Sequence, residues 1–258
     1  MFDSTTELTV IRVMSGIICS SGILALLAYL GGIPTGYGKH RKDSETSMDA
    51  RLGWVVQECP SFFIPVYVVY SVGYQQINLA NLIIIGAFAF HYFQRTFVYT
   101  LLMHKKSTPI PIRLVCMGFT FTSINALAIS NYEASHAPLP DSWLSSYQFI
   151  GGMLLWGVGM LVNLHSDHVL RNLRRPNEVG YKIPRGGAFE LVSGANFSGE
   201  ILEWIGLKIA SNFHFPLVCF ALSTALVIGT RALAHHKFYL KKFENYPKSR
   251  KAVVPFLL

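Results

Sequence analysis

At 258 residues, 51% of them hydrophobic and only 14% charged, the chain is too apolar for an ordinary soluble domain. Its net charge of +8 would suggest a nucleic-acid partner in a soluble protein, but here the basic residues separate apolar blocks of about 20 residues, the length that crosses a bilayer core. Composition therefore points away from nucleic acid and toward a multi-pass membrane protein.

The N-terminal MFDSTTELT carries acids and no base ahead of the first apolar block, so that block reads as a retained span, not a cleaved signal. In chain order, spans are predicted at about 8–30, 52–72, 77–103, 109–130, 145–166, 189–213 and 215–235. The expected fold is an all-α integral membrane protein, seven transmembrane helices in one bundle, with residues 1–258 forming a single domain. Cys19, Cys59, Cys116 and Cys219 fall in different blocks without CxxC spacing and read as buried apolar residues.

Basic residues lie on alternate connections. Lys39, Arg41, Lys42 and Arg51 lie in 31–51, Lys105 and Lys106 in 104–108, and Arg171, Arg174, Arg175, Lys182 and Arg185 in 167–188. Lys237, Lys241, Lys242, Lys248, Arg250 and Lys251 follow in the tail, so these four segments hold 17 of the 22 Lys and Arg. By the positive-inside rule that side is cytosolic: the C-terminus is cytosolic and the N-terminus lumenal or periplasmic. Loops 31–51 and 167–188, with the tail 236–258, are positioned to close a site from the cytosol.

Residues three, four or seven apart share a helix face. Tyr92, Arg95 and Tyr99 obey this spacing, as do Asn163, Asp167, Arg171 and Arg174; Asn196, Glu200 and Glu203; Arg231, His235 and Tyr239; and Trp54 with Glu58. All five faces fall in the cytosolic half of the predicted bundle. An intramembrane charge costs about 2.5 to 3.5 kcal/mol on insertion scales, so such groups face one another or a cavity. A cavity rich in Arg, Asn and Tyr suits a phosphorylated anionic cofactor, and its apolar rim suits a lipid-like substrate. His91 lies off the Tyr92 face and reads as a packed histidine. The chain has no GxGxxG after a strand, no P-loop and no HExxH, and HSDH (165–168) lacks further ligands for a metal. The sequon Asn196-Phe197-Ser198 falls near the cytosolic side and is discounted.

GYGKH (36–40), WVVQECPSF (54–62), HYFQRTFVY (91–99), NLHSDHVLRNLR (163–174), YKIPRGGAFELVSGANFSGEILEW (181–204) and HHKFYLKKFENYPKSRKAVVPFLL (235–258) closely resemble the steroid 5-alpha-reductases, in register over nearly the whole chain. The resemblance implies a seven-helix reductase that uses NADPH to saturate the 4,5 double bond of a 3-oxo-4-ene steroid such as testosterone or progesterone. It assigns the substrate carbonyl to Glu58 and Tyr92, and Trp54 belongs to the apolar rim of the pocket for a lipid-like substrate. It assigns NADPH to Tyr37, Arg95, Tyr99, Asn163, Asp167, Arg174, Lys182, Asn196, Glu200, Arg231, His235 and Tyr239. The chain departs from the family's pattern in three places: MHKKSTPIP (103–111) replaces a Gly/Arg-rich turn, Lys182 stands where some members have arginine, and Cys59 replaces a common leucine. The lysines keep positive charge but lose the bidentate fork of arginine.

The implied partners are a steroid-like lipid and the membrane, with no nucleic acid and no obligate protein partner. The implied location is the endoplasmic reticulum membrane in a eukaryote or the inner membrane in a bacterium. The alternatives are a related membrane reductase of a polyprenol or enoyl thioester, or a membrane methyltransferase of the isoprenylcysteine type. A transporter would show repeat symmetry and broken helices, neither of which is visible in the sequence.

Overall fold

The computed structural model describes residues 3–33, 46–104, 107–174, 178 and 180–258. Tyr37 and the basic residues Lys39, Arg41, Lys42, Lys105, Lys106 and Arg175 lie outside the described residues. The chain is helical: α1 (Ser4–Leu30), α2 (Ala50–Glu58), α3 (Pro60–Val72), α4 (Leu79–Phe93), α5 (Thr100–Leu102), α6 (Ile112–Asn131), α7 (Tyr147–Arg171), α8 (Ala195–Ala210) and α9 (Phe215–Lys242). α4 runs into α5 through a π-helical segment, Gln94–Tyr99, and α2 meets α3 at Pro60, which occupies the first position of the new helix. Among the described residues five helical stretches are long and apolar enough to cross a membrane: Ser4–Leu30, Ala50–Val72, Ile112–His136, Tyr147–Arg171 and Phe215–Lys242.

Val13, Ile17, Leu24 and Leu27 of α1 point outward, as expected of a helix whose surroundings are lipid. Behind this outer face, Phe88, Ile84, Trp204, Leu207, Leu217, Phe220 and Ala126 form the main core, bringing α4, α6, α8 and α9 together. α7 and α8 make the closest helix contact of the bundle and run antiparallel. A Cβ on Gly152 would lie 2.5 Å from Ala210 N, one on Gly159 2.5 Å from Glu203 N, one on Gly199 2.5 Å from Asn163 N, and one on Gly206 2.4 Å from Trp156 N. Each helix repeats its glycine after seven residues, two turns on the same face. Small residues in this pattern let backbones touch inside a membrane, where the apolar effect does not drive helices together.

The predicted sixth span, 189–213, begins too early. Only Ala195–Ala210 is helical, preceded by a 3₁₀ turn at Gly187–Glu190. Phe189 and Val192 are buried against Val169 and Leu170 of α7 instead of facing lipid, and Val192 bridges to Lys251 of the C-terminal tail. The tail clamps this loop: Ser193 N donates to Lys251 O (2.8 Å), Gly194 N to Ala252 O (3.0 Å), and the fully buried Arg250 donates to Pro184 O (2.8 Å) and Glu190 Oε2 (3.0 Å). The Gly186 N–H and the Arg250 guanidinium hold the Glu190 carboxyl below the usual carboxylate range. Ser193 Oγ lies 2.6 Å from both His236 Nδ1 and Tyr246 Oη, tying the loop to α9 and to the tail. α7 and α9 extend beyond the predicted spans, to Arg171 and Lys242.

The two ends of the bundle are pinned differently. At one, strand Ser47–Met48 pairs antiparallel with Ile110–Pro111, tying the entry of α2 to that of α6. At the other, Glu133 accepts from Asn81 Nδ2 (2.7 Å) and lies 2.8 Å from His214 Nδ1, while Asn81 Oδ1 accepts from Leu139 N (2.8 Å). Because a side chain on Gly206 would strike the α7 backbone, Gly206→Val is expected to destabilise the protein by about 1 to 3 kcal/mol. A lower thermal unfolding midpoint in detergent, beside an unchanged Gly157→Ala control at an open position, is the measurement.

Candidate active site

The polar faces meet at the end of the bundle where α2 begins and α7 ends. Arg95 sits in the π-helical segment, at a break in the regular hydrogen-bond ladder of the kind often found at functional positions. Its Nη1 lies 3.1 Å from Asp167 Oδ2 of α7. Its guanidinium carbon stands 4.9 Å from the centre of the Trp54 ring and 4.4 Å from that of Tyr99, and these two rings meet edge to face at 5.7 Å. One carboxylate and two aromatic faces therefore hold a cation that would be costly alone in the membrane.

Glu58 ends α2 two residues before Pro60. It is partly accessible, and its Oε1 accepts from Gln57 Nε2 at 3.3 Å. Tyr92 is buried on α4, near Ser61, and Glu58 lies close enough to interact with its phenol electrostatically. Glu200, on α8, lies within electrostatic reach of Glu58, Tyr92, Arg95 and Asp167. Asn163 is buried where α7 and α8 touch: its Nδ2 donates to Asn196 O at 3.0 Å, and its Oδ1 is without a hydrogen-bond partner among the described residues.

The structure thus brings together Glu58, Tyr92, Arg95, Asn163, Asp167, Asn196 and Glu200, with Trp54 and Tyr99 forming the aromatic wall. Arg174 and Lys182 are held in the exposed connection instead: Arg174 Nη1 reaches Gly180 O at 3.5 Å and Lys182 pairs with Glu178. Tyr239 stacks on Tyr246 of the tail at 5.4 Å, with Arg174 near enough to act on it. The His235 ring lies 5.7 Å from Phe197. Two cavities open at this end of the bundle. One of ≈ 250 Å³ is lined by Trp54, Tyr99, Met103, Ile110 and Pro111, and one of ≈ 390 Å³ by Leu102, His104, His168, Arg171 and Asn172. Among the described residues no group of His, Cys, Asp and Glu is arranged to hold a metal ion.

His91 and Glu203 depart most from expectation. His91 is buried, and its Nδ1 lies 2.7 Å from Glu203 Oε2, so the histidine is one half of a buried polar pair between α4 and α8. Its place four residues before Arg95 is the signal that marks it in the sequence. His165 packs against Gly187: a Cβ there would lie 2.5 Å from the His165 ring, and φ at Gly187 is +56°. Glycine is required on both counts, and the HSDH motif thereby acquires a structural role.

A family model for 3-oxo-5-alpha-steroid 4-dehydrogenase matches residues 108–258. The chain is also 42% identical to 3-oxo-5-alpha-steroid 4-dehydrogenase 2 of Macaca fascicularis over 95% of its length and 96% of that protein's. The chain belongs to the 3-oxo-5-alpha-steroid 4-dehydrogenase family. The human type 2 protein is 43% identical, covering 91% of this chain and 92% of its own, and the mouse type 1 protein 40%, covering 98% and 100%. Membership makes the chain an oxidoreductase that acts on a CH–CH bond, and the layer around Arg95 and Tyr92 is the place to look for its chemistry.

Removing Asp167 takes away the carboxylate that pairs with the Arg95 guanidinium inside the bundle. Asp167→Ala is therefore expected to destabilise the fold by about 3 to 5 kcal/mol. Asp167→Ala with Arg95→Met should recover part of the loss in a thermal unfolding experiment.

Proposed function

We propose that this chain is a seven-span membrane reductase that saturates the 4,5 double bond of a 3-oxo-4-ene steroid with NADPH as reductant. The observation that carries the reading is the convergence of a phenol from α4 and a partly accessible carboxyl from α2 beside the Arg95 layer, in a chain of this family. The relatives are named for 3-oxo-5-alpha-steroids, and a 3-oxo group gives the phenol and the carboxyl a single oxygen to bind.

The layer fits a nicotinamide cofactor. The unpartnered Asn163 Oδ1 is an acceptor suited to a carboxamide NH₂, and Arg95 with Tyr99 offers a cation and an aromatic face. Arg174, Lys182, Arg231, His235 and Tyr239 supply the outer cationic and aromatic groups for phosphate and adenosine. When bound, NADPH supplies a hydride. Hydride arrival at carbon 5 shifts the electrons of the double bond toward the carbonyl, so negative charge grows on the oxygen at carbon 3 until a proton is added at carbon 4. Tyr92 donates its phenolic O–H to that oxygen, and Glu58 donates from its acid form. A Tyr paired with a neutral carboxylic acid stabilises the same kind of charge in ketosteroid isomerase, an unrelated enzyme.

In this reading α4–α5 and α8 complete a bundle of seven spans with the five long apolar helices, and the basic side faces the cytosol. The eukaryotic relatives favour the endoplasmic reticulum membrane.

Purified protein given NADPH and testosterone should yield a steroid two hydrogens heavier, with equal loss of NADPH, by mass spectrometry and absorbance. A folded sample that gives no product with testosterone or progesterone would reject the steroid reading, and one that fails to bind NADPH would reject the reductase reading. Loss of an oxyanion donor costs about 2.7 to 4 kcal/mol, so Tyr92→Phe should slow the chemical step about 10²- to 10³-fold. Glu58→Gln should cost less, because glutamine keeps an N–H donor; single-turnover kinetics measure both.

A further inference from the structure

The proposed reaction leaves one buried pair without a task. His91 and Glu203 are 1% and 0% exposed and 2.7 Å apart. An ion pair is a poor means of joining two buried helices, since well-packed apolar side chains hold them as well or better. Its value has to be sought in what it holds in place.

His91 precedes Tyr92 in sequence, and Glu203 precedes Trp204. The three rings close a triangle. His91 meets Trp204 edge to face at 4.6 Å and Tyr92 at 5.1 Å, while Trp204 lies over Tyr92 at 6.0 Å with 25° between their planes. Phe88 packs against Tyr92 at 4.9 Å from one turn earlier on α4. Glu203 governs two corners of the triangle, His91 through the hydrogen bond and Trp204 through the adjoining peptide. Glu203 is in turn fixed by α7, which approaches so closely that a Cβ on Gly159 would lie 2.9 Å from its Cγ. The line of constraint runs from the α7–α8 backbone contact to Glu203, to His91, and from there to the Tyr92 ring.

We infer that His91 and Glu203 are positioning residues for Tyr92, holding its phenol aimed at the steroid carbonyl oxygen. The inference rests on the reading of Tyr92 as the donor. A side chain of this kind acts through geometry, and misplacement of a reacting group by about 1 Å can cost about 10²-fold in rate.

The test is a double-mutant cycle on the single-turnover rate of steroid reduction, with NADPH affinity measured alongside. Glu203→Leu is expected to slow the chemical step about ten- to hundredfold and to leave the NADPH dissociation constant unchanged. Glu203→Gln, whose amide oxygen still accepts from the imidazole N–H, should restore most of the rate. In the Tyr92→Phe background Glu203→Leu should cost less than about twofold more, since residues that act as one unit do not add. Should Glu203→Leu not fold, His91→Phe, which keeps a ring and removes the nitrogen, takes its place with the same expectations. A wild-type rate in Glu203→Leu, losses that multiply in the Tyr92→Phe background, no recovery with Gln, or a parallel loss of NADPH binding would each overturn the inference. Failure of the unaltered protein to reduce a steroid would overturn the functional reading itself, an outcome distinct from any change confined to the variants.

Discussion

The backbone contact between α7 and α8 is the constraint on which the rest of the site depends. Four glycines remove the side chains that would hold these helices apart, and the resulting approach sets the distance between every polar group on α7 and its counterpart on α8. Asn163 reaches Asn196 because the backbones touch at Gly199, and Glu203 sits at a fixed height because α7 closes on it at Gly159. In water such precision would follow from burial of an apolar core; within a membrane it has to come from shape.

The electrostatics follow from that geometry. Three basic side chains of the interior each meet an acid: Arg95 meets Asp167, His91 meets Glu203, and Arg250 meets Glu190. Glu58 bonds instead to the uncharged amide of Gln57. Asp167 and Glu203 thus pair with basic side chains, while the partly accessible Glu58 hydrogen-bonds to an amide although Arg95 also lies within its electrostatic reach.

Much of this was legible in the sequence, and the reasons it stopped are physical. Apolar blocks of bilayer length and one-sided basic loops report how a chain meets lipid and water, so helix positions and their polar faces could be read directly. Which acid meets Arg95 is a tertiary fact: Asp167 and Arg95 stand out separately, but only packing joins them. Phe189 and Val192 look like the start of a span because hydrophobicity does not distinguish burial inside the protein from burial in lipid. A 3.6-residue period puts His91 beside the Tyr92 face, where it reads as a packed or interfacial histidine, and no period announces the π-helical segment that follows. Arg250 lies in a run of basic residues that reads as a topology signal, yet it is among the most buried side chains of the protein. The roles of the outer cations, Arg174 and Lys182 among them, rest on the family resemblance more than on their geometry.

The tail clamp has a consequence for biogenesis. Residues 250–252, which pair with 191–194 and brace Pro184 and Glu190, follow all the described helices in the chain and so leave the ribosome after them. The connection between α7 and α8 must wait without its partner while the helices insert, and it is completed only when the tail folds back. Insertion and maturation of this protein are therefore separable events: a nascent chain can be fully threaded through the bilayer and still lack a finished rim. A quality-control machinery that senses the exposed edge at 191–194 would read the difference.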